Sequence, residues 1–351
     1  MNTVQQMQLE TEIICDPAQL KQLKREWLAL ASRIPQATPF QLPQWMLTWL
    51  QHFGSGELRT LLFRRGSRIV GLLPAFIHPW RGQKQMTLIG SGISDYPDPL
   101  IDPGFANEAI EALGEHLESD SAWQVCEWQD LTESSPLLHI QPRTAFRTIV
   151  KQDIPCTKIT LSKTFEEFWN SRPRHVRRNV TRYRRHASEH YAVAFETVTG
   201  AVPELFESFI RLHGNRWQLK GESGMIEENH SAPFLWEIAK QFERLKILRF
   251  FVLRFNREIA AIILAWDYRN NLYFYLSGFD PRFAEFRPGQ ILLCECLRYA
   301  YSQNCESCDF LRGAEPYKLD WGAVVIPKYR VILTRHRDKP GTQHSFCSSV
   351  W

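Results

Sequence analysis

Two apolar hairpin segments of the same kind occur in the two halves of this chain. The first is LRTLLFRRGSRIVGLLPAFI, residues 58–77, and the second is LRFFVLRFNREIAAIILAWD, residues 248–267. In each, an apolar strand runs into a charged turn and then into a second apolar strand. Predicted helices precede both hairpins, and a strand, a helix and a further strand follow them. The repeated order predicts a mixed α/β chain made of two similar units.

Length and composition agree with two globular domains. The chain has 351 residues, more than a typical single domain. Its composition, 44% hydrophobic and 23% charged, is that of an ordinary folded protein. A formal net charge of +4 permits an anionic ligand without requiring nucleic acid. We expect a first domain over 1–160 and a second over 161–351, with the active site in the second.

The sequence predicts a cytoplasmic protein. Its first residues lack the basic and apolar regions of a signal peptide, and no apolar run is long enough to span a membrane. Eight cysteines without an export signal are typical of reduced thiols. Cys294, Cys296, Cys305 and Cys308 have a spacing that raises the question of zinc. Because Cys294 and Cys296 are two apart on a predicted helix, they point in different directions, which favours buried thiols and no metal.

The segment CDFLRGAEPYKLDWG, residues 308–322, places charged groups directly after a buried strand. Glu315, Tyr317, Lys318 and Asp320 follow one another within six residues. One interpretation is an exposed hairpin with salt bridges. The other is a strand end that opens into a site where charge develops during a reaction.

A second candidate is the helix that begins near residue 288. Pro288 and Gly289 at a helix start leave backbone N–H groups for an anion, with Arg287 beside them. The alternative is an ordinary helix start in which proline and glycine only shape the turn.

A third candidate is the basic segment 172–186, which carries seven arginines and two histidines. At helical spacing, apolar residues form one face: Val176, Val180, Tyr183 and Ala187. Five arginines form the opposite face, called here the arginine row: Arg174, Arg177, Arg178, Arg182 and Arg185. The more common interpretation of such a row is a helix face exposed to solvent. The alternative is a row that binds phosphates of a ligand or of a nucleic acid.

The segment RLHGNRWQLKG places His213 and Trp217 four residues apart on one helical face, with Lys220 following. A histidine in this position is more often packed than catalytic, but it precedes a glycine-flanked loop of the kind that closes over sites. The sequence contains none of the nucleophile-elbow, Walker, dinucleotide-binding or zinc-protease motifs.

Three of these segments together resemble the CelD/BcsL-like acetyltransferase family. They are FESFIRLHGNRWQLKG, LYFYLSGFDPRFAEFRPGQILLCECLRYA and CDFLRGAEPYKLDWG. That family belongs to the GNAT superfamily and is related to the FemAB-type aminoacyltransferases. The resemblance spans about 160–330 and extends to the first half through SDYPDPLID. It implies a tandem GNAT-like (acyl-CoA N-acyltransferase) fold.

The resemblance also implies a chemistry. An acyl group, in the first instance acetyl, would pass from acetyl-CoA as co-substrate, without a permanently bound cofactor, to an amine or hydroxyl. The acceptor would be a sugar or an intermediate of envelope or cellulose-type exopolysaccharide synthesis, with the polysaccharide-synthesis machinery as a possible partner. RPGQ at 287–290 lacks the full diphosphate-loop pattern of GNAT proteins. The alternatives are a Fem-like transferase using aminoacyl-tRNA and a non-catalytic regulator of polysaccharide synthesis.

The candidate residues follow from the resemblance and from the chemistry of thioester attack. Lys318 would meet the oxyanion or the donor phosphate, Tyr317 would protonate the leaving thiolate, and Glu315 or Asp309 would act as base or orient the acceptor. His213 is a further catalytic candidate. The donor-binding candidates are Arg287, Pro288, Gly289, Gln290, Arg312 and Gly313, and the substrate-binding candidates are Trp217, Lys220, Asp95, Tyr96, Arg177 and Arg178.

Overall fold

The computed structural model describes residues 8–162, 164–218 and 231–336, with no side-chain detail at 216–218. The chain divides into two compact units. The first contains residues up to Ile154 and from Pro327 onward, and the second is Pro155–Ile326.

The described helices are α1 Pro17–Gln22, α2 Lys24–Arg33, α3 Pro43–Phe53, α4 Ala106–Ser119, α5 Phe165–Ser171, α6 Arg174–His190, α7 Pro203–Gln218, α8 Ala232–Arg244, α9 Pro288–Ser302 and α10 Pro316–Asp320. The strands are β1 Leu9–Ile14, β2 Glu57–Leu58, β3 Thr60–Arg65, β4 Arg68–Leu73, β5 Ala75–Trp80, β6 Gln83–Leu88, β7 Leu100–Ile101, β8 Val125–Thr132, β9 Phe146–Thr160, β10 Val193–Val198, β11 Leu248–Phe255, β12 Glu258–Tyr268, β13 Asn271–Phe279, β14 Ser307–Arg312 and β15 Val324–Arg335.

The first unit contains two groups of strands. One is a four-stranded antiparallel sheet in the order β1-β3-β4-β7. The other has the order β15-β8-β6-β5-β2, in which β6 and β8 are parallel. The core of the first unit includes Trp123, Trp128 and Phe146, all fully buried. Helix α1 begins at an N-cap, because the Asp16 side chain accepts a hydrogen bond from the Ala18 amide at 2.9 Å and Pro17 occupies the first helical position.

The C-terminal strand differs from its predicted assignment. The sequence predicts it in the second domain, but its residues 328–334 pair antiparallel with β8 of the first unit. Its apolar residues Val331 and Leu333 belong to the core of that unit. The pairing explains why residues from 327 onward belong to the first unit and not to the second. The boundary near residue 160 stays a prediction.

The second unit is a six-stranded mixed sheet with helices on both faces. The strand order is β10-β11-β12-β13-β14-β9, where β9 contributes residues from 155 onward. On one face, α5, α6 and α9 cover a core that includes Phe251 and Phe274. On the other face, Phe242 of α8 packs edge-on against Trp266 at 5.0 Å. The alternation of side chains along strands places these two cores on opposite sides of the sheet.

Helix α6 follows the predicted amphipathic pattern. Val176, Val180 and Ala187 are buried against the core of the second unit. Tyr183 packs partly against the same core. Burial of this stripe orients the arginine row away from the sheet.

Candidate functional site

The adjacent parallel strands β13 and β14 pair over only three residues. Asn271–Tyr273 face Ser307–Asp309, although β13 continues to Phe279 and β14 to Arg312. β14 changes register against β9 directly after the last pair, and β13 changes register against β12 one residue further on, at Tyr275. Two β-bulges at neighbouring positions bend adjacent strands and stop their pairing. The facing strand ends therefore form a cleft at the carboxyl edge of a parallel pair, a usual place for ligands in α/β sheets.

Asp309 lies at the base of this cleft. It is 3% exposed, and its Oδ1 accepts a hydrogen bond from the Leu311 amide at 2.7 Å. Leu311 has a φ of 59°, so the carboxylate stabilises the unusual backbone of the bulge. Asp309 is opposite Tyr273 in the parallel ladder and opposite Lys158 in the antiparallel one.

Tyr273 is a further candidate site residue, which no sequence pattern indicated. Burial raises the pKa of its phenol, and the negative charge of Asp309 adds to that rise. The phenol therefore stays protonated beside a buried carboxylate. The sequence shows only that Tyr273 lies in an apolar strand. Its position opposite Asp309 depends on the pairing of β13 with β14, which the sequence does not specify.

His213 of α7 lies against the far end of β13. It is 2% exposed, and its Nδ1 is 3.1 Å from the Ser277 carbonyl oxygen. Since a carbonyl only accepts, this contact assigns the hydrogen to Nδ1 and leaves Nε2 as the acceptor in the neutral ring. The helix reaches the strand at Gly278, where an added Cβ would be 2.5 Å from the His213 amide nitrogen. The Trp217 side chain and Lys220 lie outside the described residues.

Lys318 has a different environment from the one expected. It is 3% exposed, and its Nζ donates to the carbonyls of Phe310, Arg312 and Gly313 at 3.2, 2.8 and 3.1 Å. The half-exposed Glu315 carboxylate is 2.8 Å from the same ammonium. The N–H groups of Lys318 are thus occupied by carbonyls of the turn that follows β14. The ammonium therefore holds this turn in place and is not directed at an oxyanion. The segment 316–320 is a short helix, not a hairpin edge.

The other donor-binding candidates of the strand end lie in the same turn. Gly313 has a φ of 97°, and its amide donates to the Pro155 carbonyl at 2.8 Å. A side chain at this position would meet Glu315, so glycine is needed here. Arg312 contributes its carbonyl to Lys318, and Tyr317 is partly buried against the core.

The start of α9 is connected to this turn by hydrogen bonds. Gln290 Oε1 accepts from Trp321 Nε1 at 2.9 Å, and the Trp321 carbonyl accepts from Arg172 Nη1 at 2.7 Å. Pro288 is at the first helical position, and Arg287 is exposed with a φ of 50°. An added Cβ on Gly289 would meet no atom within 4 Å. The first turn of α9 therefore has open space beside Gly289, and it follows Arg287, a charged residue with a left-handed backbone conformation.

The side chains of the arginine row differ in exposure to solvent. Arg178 is exposed, as are Arg174, Arg182 and Arg185. Arg177 is partly buried, and its Nε donates to the Arg172 carbonyl at 3.2 Å. A groove of about 370 Å³ runs between α6 and α9. Arg184 and Arg298 line it together with Glu295, which forms an ion pair with Arg184.

Asp95 and Tyr96 belong to the first unit, whereas the other candidates belong to the second. Both are buried, at 8% and 6% exposure. The Lys328 ammonium lies 3.9 Å from the centre of the Tyr96 ring.

The four cysteines of the second half that raised the question of zinc are buried free thiols. Burial raises the pKa of Cys294 and of Cys305 to about 11. Burial likewise raises the pKa of Cys296 and Cys308. Across 8–162, 164–218 and 231–336, no group of three or more His, Cys, Asp or Glu side chains is placed to hold a metal ion.

The second unit matches a known domain family. Residues 174–319 match the family described as acetyltransferase (GNAT) domain. This match begins at α6 and ends within α10, so it contains the cleft between β13 and β14 and the start of α9. The chain has no significant match among curated protein sequences.

Solved structures show the same fold at low sequence identity. The structure of FemX has a TM-score of 0.66 and 12% identity, covering 92% of this chain and 96% of that one. The C-terminal domain of a putative lysylphosphatidylglycerol synthetase from Agrobacterium fabrum has a TM-score of 0.53 and 10% identity, covering 90% and 92%. A conserved protein of unknown function from Bacteroides thetaiotaomicron also has a TM-score of 0.53 and 10% identity, covering 93% and 100%.

Together these likenesses confirm the predicted fold class, a mixed α/β chain with tandem GNAT-like architecture. They support the GNAT superfamily at the level of fold and domain. Within the described part of the chain, none of the helices combines the length and the apolar character that crossing a membrane requires.

Proposed function

We propose that this protein transfers an acyl group from an acyl-CoA thioester, in the first instance acetyl-CoA, to an amine or a hydroxyl. The observation that carries the proposal is the three-residue ladder between β13 and β14, beyond which the two strands no longer pair. The match of residues 174–319 to the acetyltransferase (GNAT) domain family supports an acyl donor for this cleft.

The donor fits the cleft by its chemistry. The pantetheine arm of CoA is extended and carries amides, so it can bond to strand edges that have lost their partner. Its diphosphate is an anion suited to the open first turn of α9, where the helix dipole and Arg287 both favour negative charge. The reactive thioester would then lie near the bulges of the two strands.

The transfer needs a base, a donor for the oxyanion and an acid for the leaving thiolate. An acceptor amine or hydroxyl attacks the thioester carbonyl while its proton passes to a base, for which Asp309 and the Nε2 atom of His213 are candidates. When the tetrahedral intermediate collapses, the C–S bond breaks and the thiolate takes a proton from a phenol, Tyr317 or Tyr273. Lys318 acts as a positioning residue that holds the carbonyls of Phe310, Arg312 and Gly313 in place, and Glu315 supports it.

The acceptor proposal rests on the family resemblance. CelD/BcsL-like sequences suggest a sugar or an intermediate of envelope or cellulose-type exopolysaccharide synthesis, in the cytoplasm, with acyl transfer to nitrogen or oxygen. If the acceptor is such a sugar or intermediate, the residues proposed to bind it are Asp95, Tyr96, Trp217 and Lys220.

The exposed arginine row favours one second candidate. Guanidinium groups of Arg174, Arg178, Arg182 and Arg185 on one helix face provide a surface for a polynucleotide backbone. An aminoacyl-tRNA would then replace acyl-CoA as the donor, as in the FemAB-type relatives of the resembled family.

Gly289 offers a sharp test of the donor site. Gly289→Asp introduces a carboxylate into open space at the second position of α9, where an acidic residue favours the helix. We expect acetyl-CoA to bind roughly tenfold more weakly or worse, because the carboxylate repels the diphosphate, while the melting temperature stays the same or rises.

Gly289→Ala is the matched control, since it fills the same space without charge. Isothermal titration with acetyl-CoA should give the affinity of the wild type for Gly289→Ala and not for Gly289→Asp. Equal affinities for both variants would remove the α9 start from the donor site. A wild type that binds charged tRNA but no CoA species would favour the second candidate.

A further inference from the structure

The proposed reaction does not use the groove between α6 and α9. This groove lies within the second unit and has a volume of about 370 Å³. Such a volume is in the lower part of the range found for small-molecule sites. Its lining combines buried apolar side chains with guanidinium groups, so one part of it suits a hydrocarbon and another part suits an anion.

The floor of the groove is apolar. Val180 of α6 and two residues of α9, Ile291 and Cys294, line it and are buried members of the core beneath it. Trp169 of α5 also lines it and packs against Trp321 of that core, with 6.0 Å between the ring centres. A hydrocarbon group in contact with this floor removes apolar surface from water, which is favourable.

The rim of the groove carries more positive than negative charge. Three arginines and one glutamate line it: Arg184, Arg185, Arg298 and Glu295. Arg184 pairs with Glu295 at 2.5 Å, and Arg185 is 3.6 Å from Glu189 of its own helix. Arg298 forms no ion pair with any residue that the structure describes. The uncompensated charge of the rim is therefore that of Arg298.

The guanidinium of Arg298 is held in a fixed orientation. Its Cζ lies 4.2 Å from the centre of the Phe165 ring, and this stacking fixes the plane of the guanidinium. Burial raises the pKa of the Cys294 thiol to about 11, and the positive charge of Arg298 opposes that rise, so this charge lies near the floor of the groove. An oriented guanidinium without a carboxylate partner is suited to bidentate contact with a carboxylate or a phosphate.

Helices α6 and α9 run antiparallel along the groove. Arg184 of α6 pairs with Glu295 of α9. His186, two residues later in α6, contacts Phe286, two residues before α9 begins, with 4.7 Å between the ring centres. Residues of α6 that precede Arg184 therefore lie beside the later part of α9.

The two ends of the groove consequently differ in chemistry. Thr181 lies at the end where Arg298 lies, so a hydroxyl and a guanidinium both provide donors there. Ile291 lies toward the other end, about 10 Å along the helix axis from Arg298. The volume of the groove equals that of about a dozen water molecules in the liquid, close to the size of an eight-carbon chain with its headgroup.

We propose that this groove binds an organic oxyanion with a hydrocarbon body, an alkyl carboxylate or an alkyl phosphate. The oxyanion accepts hydrogen bonds from Arg298 and from the Thr181 hydroxyl. The hydrocarbon covers Val180, Cys294 and Ile291. Only a ligand with both parts uses the whole groove. The site is distinct from the cleft between β13 and β14 and does not depend on acyl transfer there.

The test is a thermal-shift titration of the full chain at constant ionic strength, with each ligand below the concentration at which it forms micelles. Octyl phosphate and octanoate supply the two kinds of oxyanion. Octanol is the control without charge, and inorganic phosphate and acetate are the controls without the hydrocarbon. We expect the melting temperature of the wild type to rise with at least one of the two amphiphiles and to rise less with every control. The amphiphile that responds distinguishes phosphate from carboxylate.

Three variants locate the effect. Arg298→Gln should lose the response, with at least about tenfold weaker binding of the amphiphile. Arg182→Gln removes an exposed arginine of α6 that does not line the groove, so the response should remain. Gly289→Asp alters the proposed diphosphate site and should also keep the response.

Several outcomes would overturn the site. They are no response of the wild type to either amphiphile, an equal rise with octanol or with the matching headgroup, and the same response in Arg298→Gln as in the wild type. Loss of the response in Arg182→Gln or in Gly289→Asp would overturn it as well, because binding would then take place elsewhere.

Thr181→Trp covers the case in which Arg298→Gln changes the stability of the ligand-free protein. It places an indole in the groove from an exposed position of α6 and leaves every arginine in place. The filled groove should bind the amphiphile at least about tenfold more weakly. Full binding by Thr181→Trp would show that the ligand lies outside the groove, and the site would be overturned.

Discussion

At the scale of single residues, Lys318 supports the turn that follows β14. The run Glu315, Tyr317, Lys318 after a strand marked a place where a site could lie. The role of the lysine, however, depends on which way the chain turns after β14. The turn brings three carbonyls to the ammonium, and three donors are then occupied. No local pattern in the sequence specifies that geometry.

The first prediction at this scale concerns Lys318→Met. Removal of the ammonium leaves buried carbonyls without a donor, so we expect a loss of about 2–4 kcal/mol in the free energy of unfolding. Turnover should fall as well, because the strand end that borders the cleft loses its support. Urea denaturation and steady-state thioester consumption measure the two effects.

Glu315→Gln is the control for that experiment. It removes a half-exposed carboxylate but leaves the three carbonyl contacts of Lys318 in place. We expect less than about 1 kcal/mol of destabilisation and nearly normal turnover. If Lys318→Met kept wild-type stability and lost turnover alone, the ammonium would act on the reacting groups and not on the turn.

At the scale of elements, the periodic patterns predicted most of the helices and strands around the cleft. The apolar stripe of α6 and the apolar run of β11 are local signals, and the structure confirms them. The short ladder between β13 and β14 could not be predicted. A bulge depends on the register of two strands that are far apart in sequence, and the sequence pattern alone does not define register.

The prediction at this scale concerns the arginine row of α6. The double variant Arg178→Gln, Arg182→Gln removes two exposed guanidiniums, so the melting temperature should change little. If the row binds a polyanion, affinity for tRNA at low salt should fall by roughly tenfold, and the salt dependence of binding should become less steep.

Arg177→Gln is the contrasting variant. Its Nε caps the Arg172 carbonyl between α5 and α6, so we expect a lower melting temperature rather than a specific change in binding. Unchanged tRNA affinity in the double variant would identify the exposed arginines as a solvated face. Filter-binding titrations and melting curves on the same preparations separate the two outcomes.

At the scale of the whole molecule, the repeat of hairpins correctly predicted a mixed α/β chain, and the family resemblance implied its tandem GNAT-like architecture. The path of the last strand was not predictable in the same way. KYRVILTRH reads as a strand in any context, but its partner β8 lies some 200 residues earlier in the chain.

One ionic cluster of the first unit joins the same distant segments. Arg330 of β15 bonds to Asp153 of β9 and to Glu127 of β8. Burial by itself would raise the pKa of Asp153, but hydrogen bonds from Arg330 and from the amides of Ile154 and Asp130 outweigh it. The pKa of Asp153 therefore lies below its ordinary value, and the ionised form stabilises the fold.

The last prediction is the pH dependence of that contribution. Because the folded pKa of Asp153 is depressed, its stabilisation is complete above the unfolded pKa of about 3.9 and is lost as the pH falls through the folded value. Asp153→Asn should cost about 1–3 kcal/mol at pH 7, since an amide presents a donor to Arg330. The cost should stay constant from pH 7 to pH 5 and shrink below about pH 4. Urea midpoints at four pH values measure it, with the exposed Glu133→Gln as control. A cost that does not change between pH 5 and pH 3 would mean that packing, and not the ionised carboxylate, joins β9 to the C-terminal strand.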